Sequence, residues 1–285
     1  MIQEDEIRST IKRLCGSGER DGENLSEYAN EVRLRLIHIE QKLDKLVLKG
    51  SASAATYAGS ADQEFGFFTY SQHGEDLIIA NVFKHIGVDR PSYLDIGAHH
   101  PLNISNTALF YQRGCRGVNV EANSNLIRAF TDLRPGDINL NVGVGVKPGS
   151  MTFYMIDDFS GRNTFDRGAA EAFVAAYPQH QITRAVEVPI ITINQIVDEH
   201  CGGIFPDFLS IDVEGLDYDI LESVDFNRGR PKVICAEVTS ALGEKGGDIA
   251  QILKGKGYFV CFRTTGNSIF IDREYLSLLP WVGEQ

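Results

Sequence analysis

The segment YLDIGAHHPLNISNTALF, residues 93–110, decides the fold of this chain. A short apolar run ends in Asp95, a glycine and two histidines follow, and a polar stretch leads into a helical pattern that stops at Gly114. Similar apolar runs alternate with helical patterns along the rest of the chain. This alternation predicts an α/β fold with a mainly parallel sheet, because such strands must be covered by helices on both faces.

The composition is that of an ordinary globular protein. Of the 285 residues, 43% are hydrophobic and 23% are charged, and the formal net charge is −12. This acidic balance argues against a nucleic-acid partner, since contact with phosphates requires a basic surface. The first residues, MIQEDEIRSTIK, contain no apolar signal region, and no stretch reaches the length of a membrane span. The five cysteines form no CxxC pair, so we expect a reduced, cytoplasmic compartment.

Three parts of the chain are predicted: a helical extension over residues 1–50, a linker of small residues over 51–67 and the main domain over 68–285. The extension has apolar residues spaced alternately by four and three positions, as in a coiled-coil seam. They are Leu25, Ala29, Val32, Leu36, Ile39, Leu43 and Leu46. So short a seam fits two arrangements: a coiled coil that forms a homo-oligomer, and a helix that packs on the main domain.

The apolar runs of the main domain predict its strands. The predicted strands are 93–97, 117–121, 138–144, 151–156, 186–191, 208–214, 232–238, 258–263 and 268–272. The turn TTGN, residues 264–267, predicts that the last two strands form an antiparallel hairpin. Ser71, followed by Glu75 and Asp76, predicts the capped start of a helix that ends near Gly87. We expect a seven-stranded, mainly parallel sheet with a terminal hairpin and an insertion before residue 208.

Acids or amides close several of the predicted strands. They are Asp95 on strand 93–97, Glu121 on strand 117–121, Asn141 on strand 138–144, Asp212 with Glu214 on strand 208–214, and Glu237 on strand 232–238. Core packing requires no polar residue at these positions. Open parallel sheets bind their ligands at the carboxyl ends of the strands, so we expect a ligand site along this edge.

The turn after the first strand indicates which ligand is bound there. Glu121 ends the strand that follows the turn, where an acid accepts hydrogen bonds from ribose hydroxyls in dinucleotide folds. NAD requires a GxGxxG turn, whereas DIGAHHP has one glycine, and Asp95 would repel a pyrophosphate. S-adenosylmethionine has a ribose, an amino group and a sulfonium but no phosphate. We therefore expect this cofactor, with Asp95 toward its amino-acid end, directly or through water, and with Gly97 allowing close approach of the backbone.

Eight motifs together resemble one known family. In chain order they are YSQHGED (70–76), LDIGAHHP (94–101), SNT (105–107), FYQRGCRG (110–117), NVEAN (119–123), RPGDINLN (134–141), SIDVEG (210–215) and RPKVI (230–234). This ordered set is similar to the FkbM family of methyltransferases over about residues 68–240. The resemblance implies a class I, Rossmann-like methyltransferase that uses S-adenosylmethionine and methylates hydroxyls, commonly on sugars or polyketides.

The resemblance also implies the cofactor-binding residues. They are Gln72, Asp95, Gly97, Ser105, Asn106, Thr107, Glu121, Asn141 and Val142. It implies that the ribose lies at Glu121 and the adenine at Asn141 and Val142. The methionine end is expected against Gln72 and the 105–107 segment, and Asp212 and Glu214 beside the methyl group.

Methyl transfer to an alcohol requires a group that takes the hydroxyl proton. The candidates are His99, His100, Asp212, Glu214 and Glu237. A histidine has the more useful pKa, but the alternative for this pair is a loop that only hydrogen-bonds its own backbone. Converging carboxylates suit a divalent cation such as Mg²⁺ instead, and Asp212 and Glu237 are its predicted ligands.

Two further questions stay open in the sequence. The insertion, with Tyr154, Phe159, Arg162 and Phe165, could form a lid over the site or pack in a small core of its own. The domain could also bind the cofactor without catalysis and recruit a partner through the N-terminal helix. An NAD-dependent enzyme is disfavoured by the missing glycines. We expect a small-molecule or glycan acceptor.

Overall fold

The computed structural model describes residues 69–213, 215–226, 229–237 and 249–281. The predicted helical extension, the linker and Glu214 lie outside these residues. The described strands are β1 (Tyr93–Ile96), β2 (Gly117–Val120), β3 (Ile138–Leu140), β4 (Gly143–Val144), β5 (Gly149–Met155), β6 (Arg184–Ile191), β7 (Phe208–Ile211), β8 (Val233–Glu237), β9 (Tyr258–Arg263) and β10 (Asn267–Asp272).

The described helices are α1 (Glu75–His85), α2 (Ala108–Gln112), α3 (Ser124–Leu133), α4 (Arg167–Ala176), α5 (Ile193–His200), α6 (Asp217–Ser223), α7 (Ile249–Gly255) and α8 (Arg273–Leu276). None of these helices is long and apolar enough to cross a membrane. The helix α1 begins after Gly74, which has no side chain to cap it. The predicted Ser71 still serves the first turn: its hydroxyl accepts from the Asp76 N–H at 3.3 Å and donates to the Asp76 carboxylate at 3.0 Å.

The main sheet has seven strands in the order β3-β2-β1-β7-β8-β10-β9. The first five strands in this order are parallel, and β10 runs antiparallel between β8 and β9. The chain adds strands outward from β1 to β3 and then returns to the centre with β7. This reversal places a topological switch point between β1 and β7, where ligands of open α/β sheets bind. The predicted α/β fold, its mainly parallel seven-stranded sheet and the terminal hairpin are confirmed.

Both faces of the main sheet are covered, because successive strand residues point to opposite sides. Leu94 and Ile96 pack with α5, α6 and α7 in one apolar cluster. Tyr93 lies on the other face and packs with residues of α1 and α2. Strands buried on both faces explain why their sequences are continuous apolar runs rather than alternating ones. Asp95, on the same face as Tyr93, is an exception that the site explains.

The predicted strand 138–144 is two strands in the structure. β3 ends at Leu140, and β4 leaves the main sheet to pair parallel with β6 in a three-stranded sheet of order β4-β6-β5. The cause is the Asn141 side chain, whose amide donates to the carbonyls of Glu121 at 2.8 Å and Ala122 at 3.0 Å. These are the acceptors that a continuing strand would use, so the backbone turns away after β3.

The insertion between β3 and β7 has an apolar core of its own. Phe153, Met155 and Val188 are buried together, and the Phe165 ring lies 4.7 Å from that of Phe153. The insertion's aromatic residues therefore serve its own packing, one of the two arrangements that the sequence allowed. Its loop also contacts the site, as described next.

Candidate functional site

Gly97 forms the turn after β1, with a φ of 74°. Its N–H donates to the carbonyl O of Val120 at 3.0 Å, and a Cβ atom at this position would lie 1.8 Å from the carbonyl O of Asp212. The position requires glycine both for its left-handed backbone and for this approach. The turn thus fits between the end of β2 and the segment after β7, at the switch point.

A row of polar side chains crosses the sheet just before this turn. Asp95 is in register with Asn119 on β2 and with Ser210 on β7, and the row continues to Asn139 on β3 and Cys235 on β8. Asp95, Asn119 and Ser210 are buried. Buried polar groups need hydrogen-bond partners, so this row marks a network rather than an apolar core.

The Asp95 carboxylate is 4% exposed and accepts a hydrogen bond from the Thr107 hydroxyl at 2.5 Å. Burial raises the pKa of Asp95, while the hydrogen bond from Thr107 and the charge of Arg134 oppose this rise. The sequence predicted a carboxylate at an open mouth. The structure instead holds it within the protein against Thr107, and its role in cofactor binding stays a prediction.

Glu121 follows β2 and is 8% exposed. Its two carboxylate oxygens accept from the backbone N–H of His99 at 2.9 Å and of Asn123 at 2.7 Å. Burial raises the pKa of Glu121 to about 7, although these hydrogen bonds oppose the rise. Each carboxylate oxygen has two acceptor positions, so one on each oxygen remains for a ligand hydroxyl.

The 105–107 segment is held by the protein itself. The Ser105 hydroxyl accepts from the Ala108 N–H at 3.2 Å, at the start of α2. The Asn106 amide donates to the Ser210 hydroxyl at 3.2 Å, and Thr107 donates to Asp95. The structure thus brings the three predicted cofactor-binding residues to the β1 end, where they fix the loop.

The two histidines of the turn differ in what they can do. The His100 Nδ1 accepts from the N–H groups of Leu102 at 3.2 Å and Asn103 at 3.1 Å, so the neutral ring carries its proton on Nε2. Burial lowers the pKa of His100 to about 4, and the ring has no lone pair left to act as a base. In this structure the ring binds its own backbone, and the catalytic role predicted for His100 stays a prediction.

His99 has a φ of 52°, which is uncommon for a residue other than glycine. Its Nε2 lies 3.3 Å from the carbonyl O of Phe159 in the insertion. Burial lowers the pKa of His99, and the backbone of Phe159 and Asn103 opposes this effect. His99 is thus neutral near pH 7 and lies where the insertion meets the turn, so its predicted catalytic role stays a prediction.

The segment before α1 is tied down next to this loop. The Asp76 carboxylate accepts from the Tyr70 N–H at 2.8 Å, and the Tyr70 carbonyl accepts from the Ser105 N–H at 2.9 Å. Buried Glu75 accepts from the Thr264 hydroxyl at 2.6 Å, in the β9–β10 turn. Gln72 is exposed on this segment, which leaves its side chain available to a ligand.

The remaining predicted residues lie along the same edge. Asn141 is exposed and Val142 half-buried just after β3, and exposed Asp212 follows β7 with its N–H donating to the carbonyl of Ile96 at 3.0 Å. Glu237 ends β8 and is half-buried. Among the described residues, no three His, Cys, Asp or Glu side chains are grouped closely enough to hold a metal ion. The Mg²⁺ site at Asp212 and Glu237 therefore stays a prediction.

Sequence reasoning missed the contacts between the insertion and the β2 end. Asn123 caps α3 by accepting from the Asn125 N–H at 3.0 Å, and its amide donates to the carbonyl of Asp158 at 2.8 Å. Asp158 also forms an ion pair with Arg184. The insertion loop thus lies against the turn at His99 and against α3, as a lid would. The signal was Asn123 itself, the last residue of the NVEAN motif.

A family model and a solved structure are similar to this chain. The family model of the methyltransferase FkbM domain matches residues 95–260, more than half of the 285-residue chain. A crystal structure of methyltransferase FkbM from Methylobacillus flagellatus KT is 15% identical, with a TM-score of 0.37 over 64% of this chain and 44% of that one. This chain thus spans less than half the length of that protein. No curated protein matches the chain.

Proposed function

Because the chain belongs to the FkbM methyltransferase family, we propose that it is an S-adenosylmethionine-dependent O-methyltransferase that acts on a hydroxyl of a sugar, a glycan or a related natural product. The observation that carries the proposal is the Glu121 carboxylate beside the Gly97 turn. Both of its oxygens are held by backbone N–H groups, and each keeps an acceptor position. This pair of acceptors fits the two neighbouring hydroxyls of a ribose, which would donate to them.

The charge of the site favours S-adenosylmethionine over a nucleotide that carries phosphates. The two acids that flank the turn, Asp95 and Glu121, are close enough that the charge of Asp95 raises the pKa of Glu121. Two carboxylates would repel a pyrophosphate and attract a cation. The turn also has one glycine where a phosphate-binding loop has several. A nucleoside with a cationic amino-acid chain and no phosphate fits these charges.

When bound, S-adenosylmethionine supplies an activated methyl group. Glu121 would hold the ribose, Asn141 and Val142 the adenine, and Gln72 the methionine end. Asp212 is the first candidate to accept the hydroxyl proton of the acceptor, because it is exposed and its backbone packs on Gly97. The acceptor oxygen would form its bond to the methyl carbon as the bond from that carbon to the sulfonium sulfur breaks, which would leave S-adenosylhomocysteine, and the hydroxyl proton would move to an Asp212 oxygen.

The acceptor would enter where the insertion meets the main domain. The Phe159 carbonyl faces His99, and the Asp158 carbonyl receives the Asn123 amide. This loop would cover the acceptor against water, as lids do in transferases. A screen of sugar nucleotides and glycans with methyl-labelled S-adenosylmethionine identifies the acceptor. Label that appears in no hydroxyl-bearing compound but in an amine would overturn the O-specific part of the proposal.

Cofactor binding is tested by titrating S-adenosylmethionine into the wild-type protein and into a Glu121→Gln variant. The amide cannot accept hydrogen bonds at both positions, so we expect the affinity to fall by about 10–100-fold, consistent with 1.5–3 kcal/mol for charged hydrogen bonds. Glu274→Gln is the matched control, because Glu274 is exposed on α8 at the sheet edge. Wild-type protein that binds no S-adenosylmethionine would refute the proposal.

A further inference from the structure

Arg134 is a fully buried cation for which the proposed reaction has no direct use. It follows α3, and its side chain is 0% exposed. Its Nε donates to the Asp137 carboxylate at 2.9 Å, and Nη2 donates to the Tyr93 hydroxyl at 2.9 Å. Both terminal nitrogens also donate to the Thr107 hydroxyl oxygen at 3.0 Å. A buried charge persists only when it is paired and hydrogen-bonded, so this arrangement requires an explanation.

Asp137 neutralises Arg134, and its carboxylate is fully used. It accepts from the Gly117 N–H at 3.0 Å, the Asn119 amide at 3.0 Å and the Tyr93 hydroxyl at 2.6 Å. These partners close the network on the β2 and β3 side. On the other side, Arg134 faces Thr107, through which it meets a second carboxylate.

Thr107 connects the two charges in one direction only. Its hydroxyl has one proton to donate and two lone pairs to accept with. A guanidinium can only donate, so both of the Arg134 contacts use the lone pairs. The proton must then point to the Asp95 carboxylate, 2.5 Å away. The hydroxyl cannot rotate, and the cation polarises it toward Asp95, which strengthens the hydrogen bond to an ionised carboxylate.

We propose that Thr107 and Arg134 are positioning residues that hold Asp95 ionised and correctly oriented for the amino group of the cofactor. This inference rests on the proposed function and deepens it. Neither residue touches the cofactor in this account. Their task is to keep a negative charge in a buried place, where an isolated carboxyl group would take up a proton.

The groups around Asp95 determine how its charge depends on pH. They are Arg134 after α3, Asp137 before β3, Glu121 after β2 and Cys235 on β8. Burial is the largest effect and raises the pKa of Asp95, while the Thr107 hydroxyl and the Arg134 charge oppose it. Loss of the hydroxyl therefore raises this pKa further. Asp95 would then be protonated at a higher pH than in the wild-type protein. The amino group of the cofactor would lose its ionised partner at that higher pH.

The test compares S-adenosylmethionine with 5′-methylthioadenosine. Both contain the adenine and the ribose, but 5′-methylthioadenosine is a neutral thioether that lacks the amino group, the carboxylate and the sulfonium charge. For Thr107→Val we expect affinity for S-adenosylmethionine to fall by about 10-fold at pH 7, as for one lost charge-assisted bond, and to fall further at lower pH. Affinity for 5′-methylthioadenosine should change by less than about 2-fold, since a lost hydrogen bond at a distant site contributes little.

Both nucleosides share the contact with Glu121, so the ratio of the two affinities reports the cationic methionine end, to which Asp95 is assigned. Thr107→Ser keeps the hydroxyl and should restore most of the ratio. Thr152→Val is the matched control. The Thr152 hydroxyl also donates to a carboxylate at 2.5 Å, that of Glu187 on the exposed side of the insertion sheet, and its loss should leave the ratio unchanged.

Three outcomes would overturn the inference. An equal loss of affinity for both nucleosides in Thr107→Val means that the hydroxyl only stabilises the fold. Unchanged affinity for both nucleosides in Thr107→Val means that the hydroxyl does not support the charge of Asp95 at the methionine end. If the wild-type protein binds neither nucleoside, the proposed function fails, and the inference with it. Should Thr107→Val not fold, Asp95→Asn replaces it, with the ratio expected to fall at every pH and to lose its pH dependence.

Discussion

The two halves of the strand-end row differ in how deeply their acids are buried. At the ends of β1 and β2, Asp95 and Glu121 are buried, and neighbouring donors hold their oxygens at 2.5–2.9 Å. At the end of β7, Asp212 is exposed, and at the end of β8, Glu237 is half-buried. A rigid, pre-formed half suits a ligand that is always the same. An open half suits an acceptor that differs between enzymes of one fold.

The same division appears in the loops. The 97–107 loop is fixed at nearly every residue, through the contacts of His99, His100, Ser105 and Thr107. The insertion contacts the site through the backbone carbonyls of Asp158 and Phe159, and its apolar core packs against Ala122 after β2. The two carbonyl contacts require no particular side chain, so a change of residue at 158 or 159 could leave them in place.

The largest effect is expected for Asp212→Asn, which tests the open half alone. Loss of a proton acceptor should lower the rate of methyl transfer by about 10²–10⁴-fold. The affinity for S-adenosylmethionine should stay within a few fold, because the buried half with Asp95 and Glu121 is unchanged. Turnover with a methyl-labelled cofactor, measured beside equilibrium binding, checks both. Asp132→Asn, an exposed aspartate on α3, is the control. A parallel loss of binding would show that the two halves are not separate.

The pH dependence of cofactor binding tests the buried half. With the pKa of Glu121 at about 7, this group is largely protonated at pH 6 and ionised at pH 8. Ribose hydroxyls donate hydrogen bonds that favour the ionised form, so we expect the affinity for S-adenosylmethionine to rise roughly 10-fold over this range. Calorimetric titrations in buffers of equal ionic strength measure it. The Glu121→Gln variant should lose this dependence, and a flat wild-type profile would contradict the assignment.

The same group makes stability depend on pH. Because the pKa of Glu121 rises from 4.5 to about 7 on folding, the folded protein keeps a proton that the unfolded chain releases between these values. Glu121 therefore costs stability as the pH rises through this window, by about 3 kcal/mol in total at the upper end. Urea unfolding at pH 5 and pH 8 should show the wild-type protein losing this much relative to Glu121→Gln. An equal change in both proteins would contradict the burial of the charge.

The smallest effect concerns backbone strain in the 97–107 loop. Ile104 has a φ of 55° and is 50% exposed, and the next residue, Ser105, is fixed by Tyr70. A left-handed isoleucine costs roughly 1–2 kcal/mol, so Ile104→Gly should raise the free energy of unfolding by about 1 kcal/mol. Ile204, an exposed loop isoleucine whose φ is not positive, is the matched position. Ile204→Gly should lower the free energy of unfolding by a few tenths to about 1 kcal/mol. Equal effects at both positions would remove the strain argument.

The sequence predicted those parts of the fold that depend on apolar pattern and turn chemistry. The strand runs, the TTGN hairpin and the acids at the strand ends follow from residue type and position alone. The break between β3 and β4 was missed because it depends on a side chain, that of Asn141, that binds the carbonyls of Glu121 and Ala122. The pattern of apolar residues does not show that a side chain hydrogen-bonds to the backbone carbonyls of the neighbouring strand.

The candidate site was predicted to the level of location but not of contact. Asp95 and Glu121 were found from their positions, but a strand-end acid looks the same whether it faces solvent or a buried hydroxyl. Arg134 was named only within a motif, because an arginine before Pro-Gly-Asp is typical of an exposed turn. Its fully buried position depends on Thr107 and Asp137, which are distant or unremarkable in the sequence.

One titration tests the central claim most directly: S-adenosylmethionine and ADP in competition for the wild-type protein at pH 8. With Asp95 and Glu121 both ionised, the account predicts one S-adenosylmethionine bound per chain and no displacement by ADP at the same concentration. Displacement by ADP, or binding of ADP alone, would show that the site accepts a pyrophosphate and would contradict the account.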